Sequence, residues 1–263
     1  MHILVTGATG GIGRGICEVL ALHAPTELKL TVASTQHGER LSALLEALHG
    51  MGVQAQGVVG DVTRPEDAQR LVHEALDHGG DLDALVCVAG ASGPGKLAVL
   101  SVAQWDQTFN LNTRSVFLMA QAAYPSLKRT SGSITAIASM SGLHPHPGYG
   151  AYSPAKAALI MLCRQLAQEW GPEGIRTNTV CPGMVRTPLT EAVYQDADTK
   201  ARRETLVPMR RIGRPDDIGQ AVHYLISAGA SYVNGQNLVV DGGVADHMLT
   251  MIPGRPGKPP VKD

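Results

Sequence analysis

Apolar residues along the chain alternate between compact runs and longer stripes with helical spacing. His2 to Val5, Leu28 to Ala33, a short run at Val58 and Val59 ending near Asp61, Leu82 to Val88, Ser133 to Ile137, Arg176 to Val180 and Gln236 to Val240 read as strands. Between them the helical stripe runs to about Leu22, then over Glu39 to Gly50, Pro65 to His78, Trp105 to Leu127, Ala151 to Trp170 and Pro215 to Leu225. The second of these helices is typical, with leucines at 41, 44, 45 and 48. Strands alternating with helices long enough to cross over predict an α/β fold, a doubly wound parallel sheet of about seven strands with helices on both faces. A sheet of that kind holds its ligand beyond the carboxyl ends of the strands.

The rhythm breaks twice. Met184 to Pro208 is a long excursion of mixed helical and loop character, helical in places from Thr190 through Leu206, and its position predicts a substrate lid over residues 184–208. An ordinary surface helix is the plainer alternative. Residues 1–245 then form one catalytic domain that includes the lid. Residues 246–263 form a tail made extended by Pro253, Pro256, Pro259 and Pro260, with Met248, Leu249, Met251 and Ile252 apolar enough to pack on another subunit.

Composition narrows the class further. With 44% hydrophobic residues, 17% charged residues and 30 glycines in 263, the chain reads as folded α/β protein rich in tight turns. A formal net charge of -1 gives no bulk attraction for a polyanion, so nucleic acid is not an expected partner. No stretch reaches about 18 uninterrupted apolar residues, and a strand follows Met1 and His2 directly, so a cytoplasmic protein without a membrane span is expected. Cys17, Cys87, Cys163 and Cys181 are widely spaced in apolar surroundings, which suits reduced core thiols rather than disulfides or a metal centre.

Candidate chemistry begins at Thr6-Gly7-Ala8-Thr9-Gly10-Gly11-Ile12-Gly13, between the first strand and the first helix. Glycines there let a dinucleotide pyrophosphate approach helix amides that carry partial positive charge. The spacing is GxxxGxG, and no lysine follows as a nucleoside triphosphate loop requires. A purely conformational role is the alternative. Asp61 stands where it can accept from an adenine amino group, or can cap the next helix through the Thr63 and Pro65 turn.

Tyr152 and Lys156 are four residues apart at the start of a helix, so they share one face. A phenol with a pKa near 10 is a poor base near neutrality until positive charge favours its ionised form. The Lys156 ammonium and an oxidised nicotinamide both qualify, and Tyr152 then takes or gives the proton of an alcohol oxygen. Ser139 follows its strand directly and can donate to that oxygen as charge develops. An ordinary helical pair and a local cap are the competing readings.

These pieces, with Asp61-Val62, Ala89-Gly90, Asn112, Tyr152-Ser153-Pro154-Ala155-Lys156 and Pro182-Gly183-Met184-Val185-Arg186-Thr187-Pro188, resemble the classical short-chain dehydrogenase/reductase family over essentially the whole chain. The resemblance implies a single-domain Rossmann fold and an NAD(P)-dependent oxidoreductase acting on CH-OH and C=O groups. It implies a catalytic set of Asn112, Ser139, Tyr152 and Lys156, in which Asn112 holds a water continuing a proton path from the tyrosine through the cofactor ribose and the lysine. Lys156 also holds the ribose hydroxyls. Cofactor contacts are implied for Gly7, Thr9, Gly11, Ile12, Gly13, Asp61, Val62, Ala89 and Gly90. Pro182, Gly183, Val185 and Thr187 orient the nicotinamide amide. Trp105 to Leu127 and Ala151 to Trp170 resemble the pair by which relatives assemble, so a homotetramer or homodimer is expected. The chain departs from the family at Cys87-Val88-Ala89-Gly90, where Asn-Asn-Ala-Gly is usual. That puts local hydrogen bonding in question rather than catalysis, and leaves Cys87 a buried small side chain.

At the end of the second strand, Ala33-Ser34-Thr35-Gln36-His37 contains no acid to repel a 2'-phosphate and no base to attract one. The balance tips slightly to NADP over NAD, with Ser34, Thr35 and His37 as candidate contacts. The substrate pocket is expected after Gly90, from Met140 to Tyr149, and under the excursion, with Leu143, His144, Met184, Leu189 and Val193 making it partly apolar. His144 and His146 read as a solvent-facing turn rather than a metal pair. A small ketone or secondary alcohol is the preferred substrate. The alternatives are a 3-oxoacyl-thioester of an acyl carrier, which needs a basic docking face that Lys128 and Arg129 only hint at, and a non-catalytic NAD(P)-binding regulatory or scaffold protein.

Overall fold

The apolar runs become strands β1 (His2–Thr6), β2 (Lys29–Ser34), β3 (Gln54–Val59), β4 (Ala84–Cys87), β5 (Ser133–Ile137), β6 (Arg176–Pro182) and β7 (Asn237–Val240). This is a computed structural model, and it describes residues 1–23, 28–188 and 190–247. All seven strands pair in parallel in the order β3-β2-β1-β4-β5-β6-β7. The order reverses between β1 and β4, which opens a crevice at their carboxyl ends. Strands β1, β4 and β5 are buried at every position, because helices cover both sides of the sheet.

One face packs α3 (Pro65–Gly79), α5 (Ser115–Thr130) and α6 (Tyr152–Trp170) around Leu71, Leu85, Met119, Leu127 and Leu159. The other packs α1 (Gly11–Leu22), α2 (Glu39–Gly50) and α9 (Pro215–Ile226) around Ile3, Ile16, Leu30, Leu44 and Ile218. Cys17, Cys87, Cys163 and Cys181 are all free and buried. Among the described residues no helix is long and apolar enough to cross a membrane.

Several boundaries differ from the sequence reading, most of all in β3 and in the helix expected over Trp105 to Leu127. The strand expected only around Val58 and Val59 begins at Gln54, since an edge strand keeps polar and half-exposed residues that an apolar search passes over. The single helix expected over Trp105 to Leu127 is α4 (Val102–Phe109), a π turn at Asn110–Arg114, and α5. It starts early because Ser101 and Gln104 form a capping box. It breaks its α register where the fully buried Asn112 donates to the Thr108 and Ala91 carbonyls, at 3.0 and 2.9 Å. The 184–208 excursion holds α7 (Glu191–Gln195) and α8 (Ala197–Leu206), beyond the carboxyl end of β6. The tail prolines and Met248, Leu249, Met251 and Ile252 lie outside the described residues.

Candidate active site

The chain leaves β1 at Gly7, whose φ of +63° is left-handed, and the Gly10 amide closes the turn on the Gly7 carbonyl at 3.2 Å. Helix α1 starts with no side-chain cap, so its first amides have no side-chain partner. A methyl on Gly13 would meet the Gly7 carbonyl oxygen, which leaves bare backbone along this wall. The wall borders a cavity of about 550 Å³ that spans the strand carboxyl ends.

At one end of the cavity lie Ser34, Thr35, Gly60 and Val62, with Thr9 Oγ1 3.4 Å from Ser34 Oγ. Asp61 stands between two lining residues without lining the cavity itself. Its Oδ1 accepts from the Thr63 amide and hydroxyl at 2.9 and 2.7 Å, so the local-turn role is realised. His37 is exposed and does not line the cavity.

At the other end, β5 delivers Ser139, and Tyr152 is the first residue of α6 with Lys156 one turn on. Lys156 is buried, its Nζ donates to the Ile137 carbonyl at 2.8 Å and lies 5.8 Å from the centre of the Tyr152 ring. Burial pushes its ammonium down to about 8. Burial also raises the Tyr152 phenol above its ordinary value, against a downward pull from the Ser139 hydroxyl. The sequence reading assigned that pull to Lys156. In this structure Lys156 Nζ, itself desolvated, donates to a backbone carbonyl and stands 5.8 Å from the Tyr152 ring centre.

Asn112 sits behind the cavity wall. Its amide nitrogen is engaged, but its Oδ1 is buried with no partner among the described residues. The point where a Gly90 Cβ would stand is 2.8 Å from Asn112 Oδ1 and 3.2 Å from Lys156 Nζ, so glycine keeps the approach to both atoms open. The corner that lacks the family's asparagine is tied differently. The Val88 and Ala89 amides donate to Thr6 Oγ1 at 3.2 and 3.5 Å. Burial pushes the Cys87 thiol up to about 12, which suits a packing role and not a nucleophile.

Ala89, Gly90, Pro182, Gly183, Val185 and Thr187 line the same cavity as the glycine turn, Ser139, Tyr152 and Lys156. Of the catalytic residues and cofactor contacts that the family resemblance implied, only Asp61 and Asn112 stand outside the lining, one beside it and one behind it. The substrate-wall expectation needs correction. Met184 lines the cavity, Leu143 and His144 are exposed away from it, Val193 gives way to its neighbour Tyr194, and Leu189 lies outside the described residues. His146 is half-buried rather than fully exposed. It lines the cavity, stacks on Tyr149 with ring centres 3.7 Å apart, and its Nδ1 lies 3.0 Å from Ser141 Oγ. Burial, and then the charge of Arg203, lower its pKa.

Tyr194 and Arg203 are the functional candidates that sequence reasoning missed. Their one signal was membership of the excursion, since helical spacing alone does not say which face meets a cavity. The described residues fit an NAD(P) molecule. Bare backbone at Gly7 and Gly13 leaves room beside free helix amides, and an orphaned buried acceptor stands beside an anchored lysine.

Comparison with known proteins adds four matches. A family model described as Enoyl-(Acyl carrier protein) reductase matches residues 7–245. The pig (Sus scrofa) protein "Dehydrogenase/reductase SDR family member 4" is 34% identical over 248 residues, covering 93% of this chain and 87% of the relative. Among solved structures, an actinorhodin polyketide ketoreductase with NADPH superposes with a TM-score of 0.87 at 32% identity, covering 93% of this chain and 97% of that one. Levodione reductase superposes with a TM-score of 0.86 at 26% identity over the same shares.

Proposed function

The chain belongs to the short-chain dehydrogenase/reductase family, and on that premise we propose that this NAD(P)-dependent oxidoreductase interconverts a small ketone and its secondary alcohol, with Tyr152 as general acid and base. Family membership makes the chain an enzyme, so the non-catalytic alternative lapses. One observation carries the reading: the Tyr152 phenol, beside the Ser139 hydroxyl, lines the cavity that the glycine turn also lines.

Bound NAD(P) supplies or accepts the hydride. The protein's own groups handle the proton and the charge. In reduction the Tyr152 phenol gives its proton to the carbonyl oxygen, and its raised pKa keeps that proton available to high pH. In oxidation the same oxygen takes the alcohol proton, and Ser139 favours this by pulling the phenol down. Ser139 also donates to the substrate oxygen as charge develops there. Lys156, anchored on Ile137, would hold the ribose hydroxyls, and Asn112 Oδ1 would accept from a water beside the ammonium. The glycine turn would take the pyrophosphate, and Pro182 to Thr187 the nicotinamide amide. Asp61 would reach the adenine amino group only through its other carboxylate oxygen, since Oδ1 serves the Thr63 turn.

Residues 184–208 act as the substrate lid of the 1–245 domain in this reading, supported by Met184, Tyr194 and Arg203 in the cavity lining. NADP is favoured slightly over NAD, since no carboxylate lines the cavity near Ser34 and Thr35. The NADPH in the superposed ketoreductase agrees with that choice. The acyl-carrier alternative needs a basic docking face, and the two cations that hinted at one are ion-paired, Lys128 with Glu173 and Arg129 with Asp81. A homodimer or homotetramer is supported by Trp105, Phe117 and Met161, apolar and exposed on α4, α5 and α6.

The test is Tyr152→Phe, assayed by nicotinamide absorbance against a panel of ketones and alcohols. Turnover should fall by about 10²- to 10⁴-fold while cofactor affinity is kept. Comparable turnover in the variant would reject the assigned role.

A further inference from the structure

Arg203 is the cavity residue that the proposed chemistry leaves unused. It lines the cavity from α8, half-buried, with its guanidinium carbon 5.6 Å from the centre of the Tyr194 ring. Its Nη1 donates to the Tyr194 hydroxyl at 3.4 Å. The helix positions able to neutralise it are Thr199, Lys200, Leu206 and Val207, none of them acidic. The adjacent Glu204 pairs with Lys200 at 2.9 Å instead. Among the described residues no carboxylate pairs with Arg203, and no acidic side chain lines the cavity. A guanidinium carries about five N–H donors in a planar fork, and most of these are unengaged.

Its location separates substrate from cofactor. Arg203 and Tyr194 stand near His146, on the loop between Ser139 and Tyr152, and the His146 imidazole responds to the Arg203 charge. That is the reacting end of the cavity, whereas pyrophosphate belongs at the glycine turn. Cation–π stacking on Tyr194 holds the guanidinium in place without consuming its donors.

We propose that Arg203 is the anion-binding residue of the substrate pocket and that the substrate is a keto acid or the corresponding hydroxy acid, its carboxylate held by the Arg203 guanidinium and the Tyr194 hydroxyl while its ketone or alcohol carbon faces Tyr152. A lone guanidinium matches the single charge and two oxygens of a carboxylate. A phosphate monoester carries about two charges, and the other lining cation, Lys156, is tied to Ile137. In the reductive direction the ketone carbon gains the hydride given up by NAD(P)H, its oxygen gains the Tyr152 proton, and the carboxylate is unchanged. The inference rests on the oxidoreductase reading of the Tyr152 site.

The experiment assays the enzyme with NADPH, and in parallel with NADH, on 2- and 3-oxo acids matched to their methyl esters. Thermal melts with NADP and added malonate supply a second readout. Oxo acids should exceed esters in kcat/KM by about 10- to 100-fold. Arg203→Met should collapse that ratio mainly through KM, Arg203→Lys should restore part of it, and malonate should raise the Tm of the parent but not of the Met variant. An acid-to-ester ratio near one, or a ratio indifferent to Arg203→Met, overturns the proposal. So does an Arg203→Met variant whose loss lies in NADPH affinity, measured by fluorescence titration. Turnover of neutral ketones with no preference for acids removes this inference and leaves the Tyr152 reading standing. No turnover of any carbonyl, with malonate still stabilising through Arg203, removes the Tyr152 reading and keeps the anion site.

Discussion

The cavity has two walls of opposite character. Along the strand ends, Gly7, Gly11, Gly13 and Gly90 present backbone, Ser34 and Ser139 stand at or just past the ends of β2 and β5, and Tyr152 and Lys156 project from the first turns of α6. Across from them, α7 and α8 present Tyr194 and Arg203 from a segment inserted between β6 and α9, closed at its base by a backbone bridge between Val185 and Gly213 rather than by a full strand. The first wall serves what every nicotinamide reaction shares, a cradle and a proton, and any change in it should affect all substrates alike. The second decides which substrate fits, so its changes should sort one substrate from another.

After Tyr152→Phe, the largest effect should come from Ser139→Ala. It removes a donor to the developing oxyanion, worth about 10²- to 10³-fold in kcat. It also removes the downward pull on Tyr152, whose phenol then sits still higher. Alcohol oxidation needs the phenolate, so its pH–rate limb should move to higher pH, while carbonyl reduction, which needs the protonated phenol, keeps its rate further into the alkaline range. Stopped-flow rates across pH in both directions check this. A loss confined to particular substrates, or a limb that moves to lower pH, would break the division between the walls.

Gly13→Ala should come next. The added methyl runs into the Gly7 carbonyl oxygen, so the turn must shift. Overpacking of this kind costs about 1–3 kcal/mol, and the matching loss of cofactor affinity is about 10- to 100-fold. Cofactor titration by fluorescence reads the loss, with circular dichroism to establish that the variant folds. An unchanged Kd for the cofactor would mean that the bare backbone does not serve it.

The two walls also differ in how much of them could be read from the chain. The sheet and its glycine turn were legible because backbone demands leave marks in residue type. A buried parallel strand needs an apolar run, and a close approach needs glycine. Tyr152 and Lys156 were legible for the same reason, since one helical turn fixes their common face. The π turn at Asn110–Arg114 was not, because its register change shows only in hydrogen bonding around Asn112. Nor was the excursion wall. Which of Val193 and Tyr194 enters the cavity depends on how α7 is rotated against the sheet, and nothing local in Glu191–Gln195 fixes that rotation. His146 was read as solvent-facing because its partners, Ser141 and Tyr149, come together only once the loop has closed.

The smallest and most specific effect concerns the 2'-phosphate. Thr35 follows β2, is exposed, and lines the cavity wall where no acid or base stands. Thr35→Asp adds a charge at little folding cost, and like charges about 4 Å apart repel by about 4 kcal/mol at an effective dielectric of about 20. Salt and solvent reduce this at an exposed position, leaving roughly a tenfold rise in KM for NADP with little change for NAD. Thr35→Arg should act in reverse by giving the phosphate a partner. Because this site reads the cofactor alone, the ratio of NADP to NAD efficiency should move by the same factor for acidic and neutral substrates. If that factor depends on the substrate, the strand-end wall also contributes to substrate choice, and the two walls are not separable in function.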